Sequence, residues 1–308
     1  MLVTLAVVAS AAMTCNPAIK STLRRPPTAA EMAQLWQEPK DLERRDLFYG
    51  VGGEKLAPEP KAAYKFRVKD TSGYSPGYEV IDANGREWSV KQGDEGQTEV
   101  VASRLYWAVG YHQPPAYFVP EWTLEGGDVA EQTSGRFRPE LPQWKVAGDW
   151  SLHENPFVGT QPYRGLLVLH LITNSWDIKT AQNKVYEATA ERLQPRRMYI
   201  VRDLGATFGR PRWPDGSRNN PEHYEEHPFI KSVNGARVDF PYGGRHQELF
   251  KQIRTQDVCW TSRLLSRLSE KQKRDAFRAA AYPDQTAGRF LARLDAKIAE
   301  GLKLCASR

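Results

Sequence analysis

Cysteine is scarce in this 308-residue chain, which contains only Cys15, Cys259 and Cys305. Three cysteines cannot make a disulfide framework, and neither Cys259 nor Cys305 stands at zinc-ligand spacing from a histidine. Both fall in helical-looking segments and read as buried free thiols, with pairing in an oxidising compartment as the other reading. Long apolar runs are missing after residues 1–14, so no later stretch is suited to cross a bilayer as a helix. The chain also lacks a P-loop. DLFYGVGGEK carries Gly50, Gly52 and Gly53 but no following Lys-Ser/Thr pair, and it reads as a turn. A HExxH helix is absent too. His223, His227 and His246 stand near Glu225 and Glu226 at the wrong spacing, with Pro228 alongside, and they read as solvated loop with local hydrogen bonds. There is no long basic run despite a formal charge of +6, so no specific nucleic-acid signal exists. The charge favours anionic partners as a class: nucleotide, anionic lipid, acidic polymer or nucleic acid.

What is present begins with MLVTLAVVASAAMT, uncharged, apolar and rich in small residues, as in the core of a secretory signal that lacks its basic n-region. Cys15 follows directly and is a candidate lipid anchor, so residues 1–22 read as a signal or lipoprotein leader of an exported, periplasmic or envelope-associated protein. Residues 23–60 are polar and Pro-rich, an extension with one short helix near Ala29–Trp36 that Thr28 caps. Regular structure starts at Tyr64, which opens an alternating strand to Lys69. After Gly73–Gly77 come Tyr78–Ile81, Asn84-Gly85 and Glu87–Lys91, a hairpin by its turn chemistry. Thr98 is placed to cap a helix with Val101, Leu105 and Ala108 on one face and Glu99 in its first turn. Ala116–Val119 is a strand with Pro120-Glu121-Trp122 as its exit. Residues 123–163 show little periodicity and read as irregular with a short strand or two.

The informative stretch is Arg164–Gly209. It holds an apolar helix, a polar loop bearing Asp177, Lys179 and Asn183, a hairpin, and Asp203-Leu204-Gly205 at a strand end. Carboxylates and an amide on short loops suit a divalent cation and a polyphosphate, because Mg²⁺ takes oxygen ligands and bridges phosphates. Beyond Glu248 three helices follow, over Ile253–Leu268, Glu270–Ala281 and Thr286–Leu304, with Ser269 and Asp284 as caps.

The order Gly77-x-x-Val80, Lys91, Glu99, Asp177-x-Lys179, Asn183, Asp203-x-Gly205 resembles the motif series of the protein-kinase superfamily. The atypical branches are nearest: HipA-type, CotH-type, secretory-pathway and phosphoinositide kinases. TEVVASRLYWAVGYHQPPAYFV is similar to the HipA-type helix with an early Glu, and LITNSWDIKTAQN to that group's catalytic loop. The resemblance spans about residues 73–209. It implies an α+β, two-lobed kinase-like fold, with a small antiparallel-sheet lobe plus one helix at 61–122 and a mainly helical lobe at 123–308. It further implies ATP and Mg²⁺ as cofactors. Lys91 would contact the α/β-phosphates and pair with Glu99, under a reduced glycine-rich loop of Gly73 and Gly77. Glu121 and Trp122 would form the hinge, Asp177 would orient the acceptor hydroxyl, and Lys179 would neutralise the γ-phosphate. Asp203 and Asn183 would hold the metal, with Gln182 as the alternative amide because Asp177–Asn183 is one residue longer than usual.

Three functions follow as expectations. The first is a phosphotransferase acting on a hydroxyl of a protein, glycan or lipid. The second is a kinase-like protein that binds nucleotide without turnover. The third is a basic envelope protein binding an anionic polymer through its C-terminal helices.

Overall fold

A computed structural model describes residues 17–70, 77–126 and 134–305. Residues 1–16, which hold most of the leader and Cys15, and Gly73 lie outside the described residues, whereas Lys20–Ser21 at the end of the expected leader forms a strand. In chain order, β1 (Lys20–Ser21) and α1 (Ala29–Met32) precede β2 (Ala63–Asp70), β3 (Gly77–Ile81), β4 (Glu87–Gln92), α2 (Glu95–Ala108), β5 (Tyr117–Val119), β6 (Thr123–Glu125) and β7 (Gly135–Pro139). Then come β8 (Trp144–Asp149), β9 (Glu154–Asn155), α3 (Gln161–Ile172), β10 (Asn183–Ala188), β11 (Arg197–Val201), α4 (Pro221–Glu226), β12 (Ser232–Asn234) and β13 (Arg237–Asp239). Helices α5 (Thr255–Ser266), α6 (Glu270–Arg278) and α7 (Asp284–Lys303) close the chain.

The small lobe is a six-stranded sheet in the order β5-β7-β4-β3-β2-β6, antiparallel except where β6 runs parallel to β2. Its β3–β4 turn is built by Asp82, whose carboxylate accepts from the Asn84 and Arg86 amides and from the Trp88 indole. Strand alternation sends Trp88 and Val90 to the outer face, where they join Tyr64, Tyr117, Trp122 and Phe137 in an aromatic core. The inner face carries Ser89, Lys91, Arg136 and Arg138. The sheet takes in β6 and β7 and therefore runs past the boundary expected at 122, so residues 140–143 carry the chain to the large lobe.

Helix α2 starts three residues before Thr98 and is buried on nearly every side, so its apolar residues do not form the single stripe expected. The N-terminal extension braces it from behind. Arg45 stacks on Trp107 and donates to its carbonyl, and Trp36 donates to Val109 O at 2.8 Å. Arg104, fully buried in α2, lies against Gly50. A Cβ at Gly50 would stand 2.2 Å from the guanidinium, and the residue also has φ +68°. Gly50 thus makes room for this side chain.

The large lobe packs α3 against α5 and α7 and also carries the antiparallel sheet β11-β10-β8. Thr160 caps α3, Ser269 forms a capping box on α6, and Thr28 with Glu31 does the same on α1. Lys297 of α7 is fully buried. Its ammonium reaches Asn174 Oδ1 at 2.6 Å and Ile172 O at 3.0 Å, closing the C-terminal end of α3, although burial pushes its pKa far down. Cys259 and Cys305 form a disulfide joining α5 to the end of α7, which overturns the free-thiol reading. Helical periodicity places each cysteine but gives no information on their separation in space.

Two predictions follow from this architecture. Replacing both Cys259 and Cys305 by Ser costs about 2–4 kcal/mol of unfolding free energy, since a cross-link across 46 residues restricts the unfolded chain. Urea denaturation checks this, and a reductant should shift only the parent protein. His170 of α3 is buried, and desolvation lowers its pKa from 6.5 to about 3. The unfolded chain therefore binds the proton first as pH falls. The associated stability is complete above about 6.5 and is lost progressively toward about 3. In His170→Phe the slope of stability against pH below 6.5 should shrink by up to about 1.4 kcal/mol per pH unit.

Candidate active site

Three elements meet where the lobes touch. Lys91 is the penultimate residue of strand β4, opposite Gly77 in the β3 ladder. The N-terminus of α2 supplies Glu95, Thr98 and Glu99. The chain leaving β11 supplies Asp203, held at φ +52°, a conformation that Asp tolerates better than most residues. Lys91 Nζ lies 2.7 Å from Glu95 Oε2 and 4.0 Å from Asp203 Oδ1. Burial works against the lysine's charge, but the carboxylates of Glu99, Asp203 and Glu95 outweigh it and raise its pKa. Glu95 also receives the Arg218 guanidinium.

The ion pair expected between Lys91 and Glu99 is replaced by one between Lys91 and Glu95. Glu99 instead meets two arginines of β7, Arg138 Nη2 at 2.6 Å and Arg136 Nε at 3.2 Å. Although burial opposes ionisation, Arg136, Arg138 and Lys91 hold the Glu99 carboxyl well below its usual range. The reason for the exchange is where α2 begins. Because the helix starts at Asp94–Glu95, Glu95 sits beside Lys91 and Glu99 lies one turn further along, under the sheet. Thr98, expected as the cap, donates its hydroxyl to Gly205 O at 2.8 Å and so ties α2 to the Asp203 segment.

Asp177 lies on the loop after α3. Lys179 Nζ is 2.5 Å from its Oδ2, and Arg245 Nε is 3.0 Å from its Oδ1. Trp176 N–H donates to Ala206 O at 3.2 Å, and Phe208 N–H donates to Thr173 O at 2.8 Å, so this loop runs beside the segment that begins at Asp203. Arg218, the partner of Glu95, stacks over Trp176 at 5.3 Å. Asn183 opens β10 across from Val201 and donates its amide to Trp150 O at 3.3 Å. Gln182 accepts from the Lys179 amide through its side-chain oxygen. Both amides therefore take part in shaping the loop.

Glu121 and Trp122 occupy other places than the expected hinge. Glu121 pairs with Lys61 at 3.3 Å in solvent, and Trp122 is buried in the outer-face aromatic core. A cavity of about 1000 Å³ opens between the lobes, lined among others by Glu79, Ser89, Arg138, Glu140, Tyr186 and Arg202. Arg136, Arg138 and Arg202 were not read from the sequence as site residues. The period-2 alternation in GRFRP could have placed the first two on one strand face.

No protein-family model and no curated protein matches this chain. Among solved structures, the Helicobacter pylori proinflammatory kinase CtkA is similar, with a TM-score of 0.52 at 11% identity over 80% of this chain and 99% of that one. The fold is kinase-like. Within it, the sheet-plus-α2 unit is the small lobe, and α3 with the helices after it forms the large lobe.

The tight joint between the two gives a stability test. A Cβ at Gly205 would stand 2.5 Å from Glu95 Cβ, whereas one at Gly288 in α7 meets nothing within 4 Å. Gly205→Ala should cost about 1–3 kcal/mol by overpacking. Gly288→Ala should gain a few tenths to about 1 kcal/mol, both measured by urea denaturation.

Proposed function

We propose that the protein is an ATP- and Mg²⁺-dependent phosphotransferase acting on a hydroxyl of a protein, glycan or lipid. The observation that carries this reading is the meeting of Lys91, Glu95 and Asp203 beside the Asp177 loop, at the cleft of a kinase-like fold. Lys91 is held by Glu95 and contacts the α/β-phosphates, and the arginine-rich inner face of the sheet favours a polyanion. Asp203 and the side-chain oxygen of Asn183 are the groups that would hold Mg²⁺, which when bound neutralises phosphate charge. Asp177 is the residue that would accept the proton of the acceptor hydroxyl as its oxygen displaced ADP from the γ-phosphorus. Lys179 balances charge on the transferred group. The Cys259–Cys305 bridge supports an exported protein in an oxidising compartment, with residues 1–22 as leader and Cys15 as a membrane tether.

A nucleotide-binding protein without turnover is the second reading, and one observation favours it. Lys179 and Arg245 approach opposite oxygens of Asp177, so the carboxylate is committed to two cations.

Thermal-shift titration of the parent protein with ATP, with and without Mg²⁺, tests the site. At 100 times the dissociation constant the folded state gains about 2.7 kcal/mol and the midpoint rises. Asp203→Ala should lose the Mg²⁺-dependent part of that rise, and Lys91→Met should weaken binding of the nucleotide itself. Asp177→Ala should keep the shift. Product formation by the parent protein and not by Asp177→Ala supports turnover, and its absence from both favours the silent binder. If millimolar Mg²⁺-ATP shifts nothing, the proposal fails and binding of an anionic envelope polymer takes its place.

A further inference from the structure

One cluster of ligand-type side chains has no part in the phosphotransferase reading. His153 lies just before β9, and His246 and Glu248 lie at the entrance to the short 3-10 segment Gln247–Gln252. Their candidate ligand atoms all lie within 4.8 Å of one another. His153 Nε2 is 2.6 Å from Glu248 Oε1, and His246 Nδ1 is 3.4 Å from the same oxygen. The two imidazoles meet edge to face with centroids 4.7 Å apart. Ninety-five residues separate His153 from Glu248, so no sequence motif could announce the group.

We propose that His153, His246 and Glu248 bind one divalent transition-metal ion of the Zn²⁺ class, with a fourth position open to solvent. Two imidazoles and one carboxylate are borderline nitrogen and oxygen donors, a set that suits Zn²⁺ and its neighbours over Mg²⁺ or Ca²⁺. Metal–ligand bonds of about 2.0–2.1 Å place tetrahedral ligand atoms about 3.3–3.4 Å apart. The His246–Glu248 pair already has that spacing. The His153–Glu248 pair, now hydrogen-bonded, opens slightly, and the imidazole nitrogens close by rotation of the half-buried His246.

The surroundings hold the ligands in place. The His153 amide donates to Ser151 Oγ at 3.1 Å, and Asn155 donates to the carbonyls of Ser151 and Leu152, so the His153 loop is tied down by its own side chains. His246 is at φ +55°, which turns the chain sharply between Arg245 and Gln247. A cavity of about 390 Å³, lined by Trp213, His246, Glu248 and Lys251 among others, gives solvent access. Arg245 does not compete for the site, because its guanidinium stacks 3.4 Å from the Trp213 ring centroid and its Nε faces Asp177. A metal at this position would pin the loop bearing Arg245 to the strand region before α3. It would thereby fix one of the two cations that hold Asp177. The site does not depend on the phosphotransferase proposal.

The test is metal uptake by the full chain with its disulfide intact, stripped by chelator and titrated with Zn²⁺ against a chromophoric competitor. One ion per chain is expected. His246→Asn, which keeps a residue tolerant of the left-handed conformation, and Glu248→Gln, which keeps the shape, should each lower affinity at least about 100-fold. Both variants are to retain the metal-free unfolding midpoint within a few degrees, and either alone suffices if the other fails to fold. Co²⁺ in the parent protein should give the intense visible bands of a four-coordinate site, and His246→Asn should abolish them. His223→Ala and Cys15→Ser should leave uptake unchanged. No stoichiometric uptake overturns the proposal. So does uptake that survives in both His246→Asn and Glu248→Gln, or that disappears in His223→Ala or Cys15→Ser.

Discussion

The N-terminal turn of α2 presses on the chain that leaves β11, and the ionic groups of the cleft take their positions from that contact. Gly205 leaves no room for a side chain beside Glu95, and the Thr98 hydroxyl donates to the Gly205 carbonyl. The contact brings Asp203 within 4.0 Å of Lys91, although one residue belongs to the large lobe and the other to the small. Were α2 to move outward by a turn, Lys91 would lose Glu95, and the Asp203 segment would lose the wall it rests on. A hydrogen bond and a close packing contact thus do the work that an ion pair alone, partly open to water, would do poorly.

Behind this joint the molecule is closely packed. The N-terminal extension fills the space at the back of α2 with Trp36, Arg45 and Arg104's glycine-lined seat, and the outer face of the small sheet carries its own aromatic core. The inner face of the sheet holds one cluster of buried charge, while Arg104 and Lys297 are buried elsewhere. One carboxylate, Glu99, stands between Arg136 and Arg138, so that buried group carries more positive than negative charge. Desolvated cations without full compensation are costly. An anion in the cleft would lower that cost, which is the charge argument behind the proposed polyphosphate site.

The parts of the fold that depend on local chemistry were legible in the sequence. Asn84-Gly85 announced its hairpin, Ser269 and Thr28 announced their caps, and the spacing of Lys91, Asp177 and Asp203 announced the elements that carry them. What escaped reading depended on distance in space. Helix α2 begins at Glu95, so Thr98 lies inside its first turn and donates to Gly205 O and Glu95 O instead of capping. That shift of four residues, about one turn, exchanged Glu99 for Glu95 as the ion-pair partner of Lys91. The kinase resemblance implied a hinge at Glu121 and Trp122, yet β6 runs along β2 and the Trp122 ring enters the aromatic core. The disulfide was hidden for the same reason: two cysteines in separate helices give no sign of which faces meet.

Lys297 illustrates how late in the chain this site is completed. Its ammonium closes the end of α3 and holds Asn174, three residues before Asp177, yet it lies in the last helix. Synthesis runs from the N-terminus, so the loop that bears Asp177 stays without this support until nearly all of the chain has been made. A ribosome-bound chain would hold both lobes' strands and α3 without the support that the final helix gives this loop.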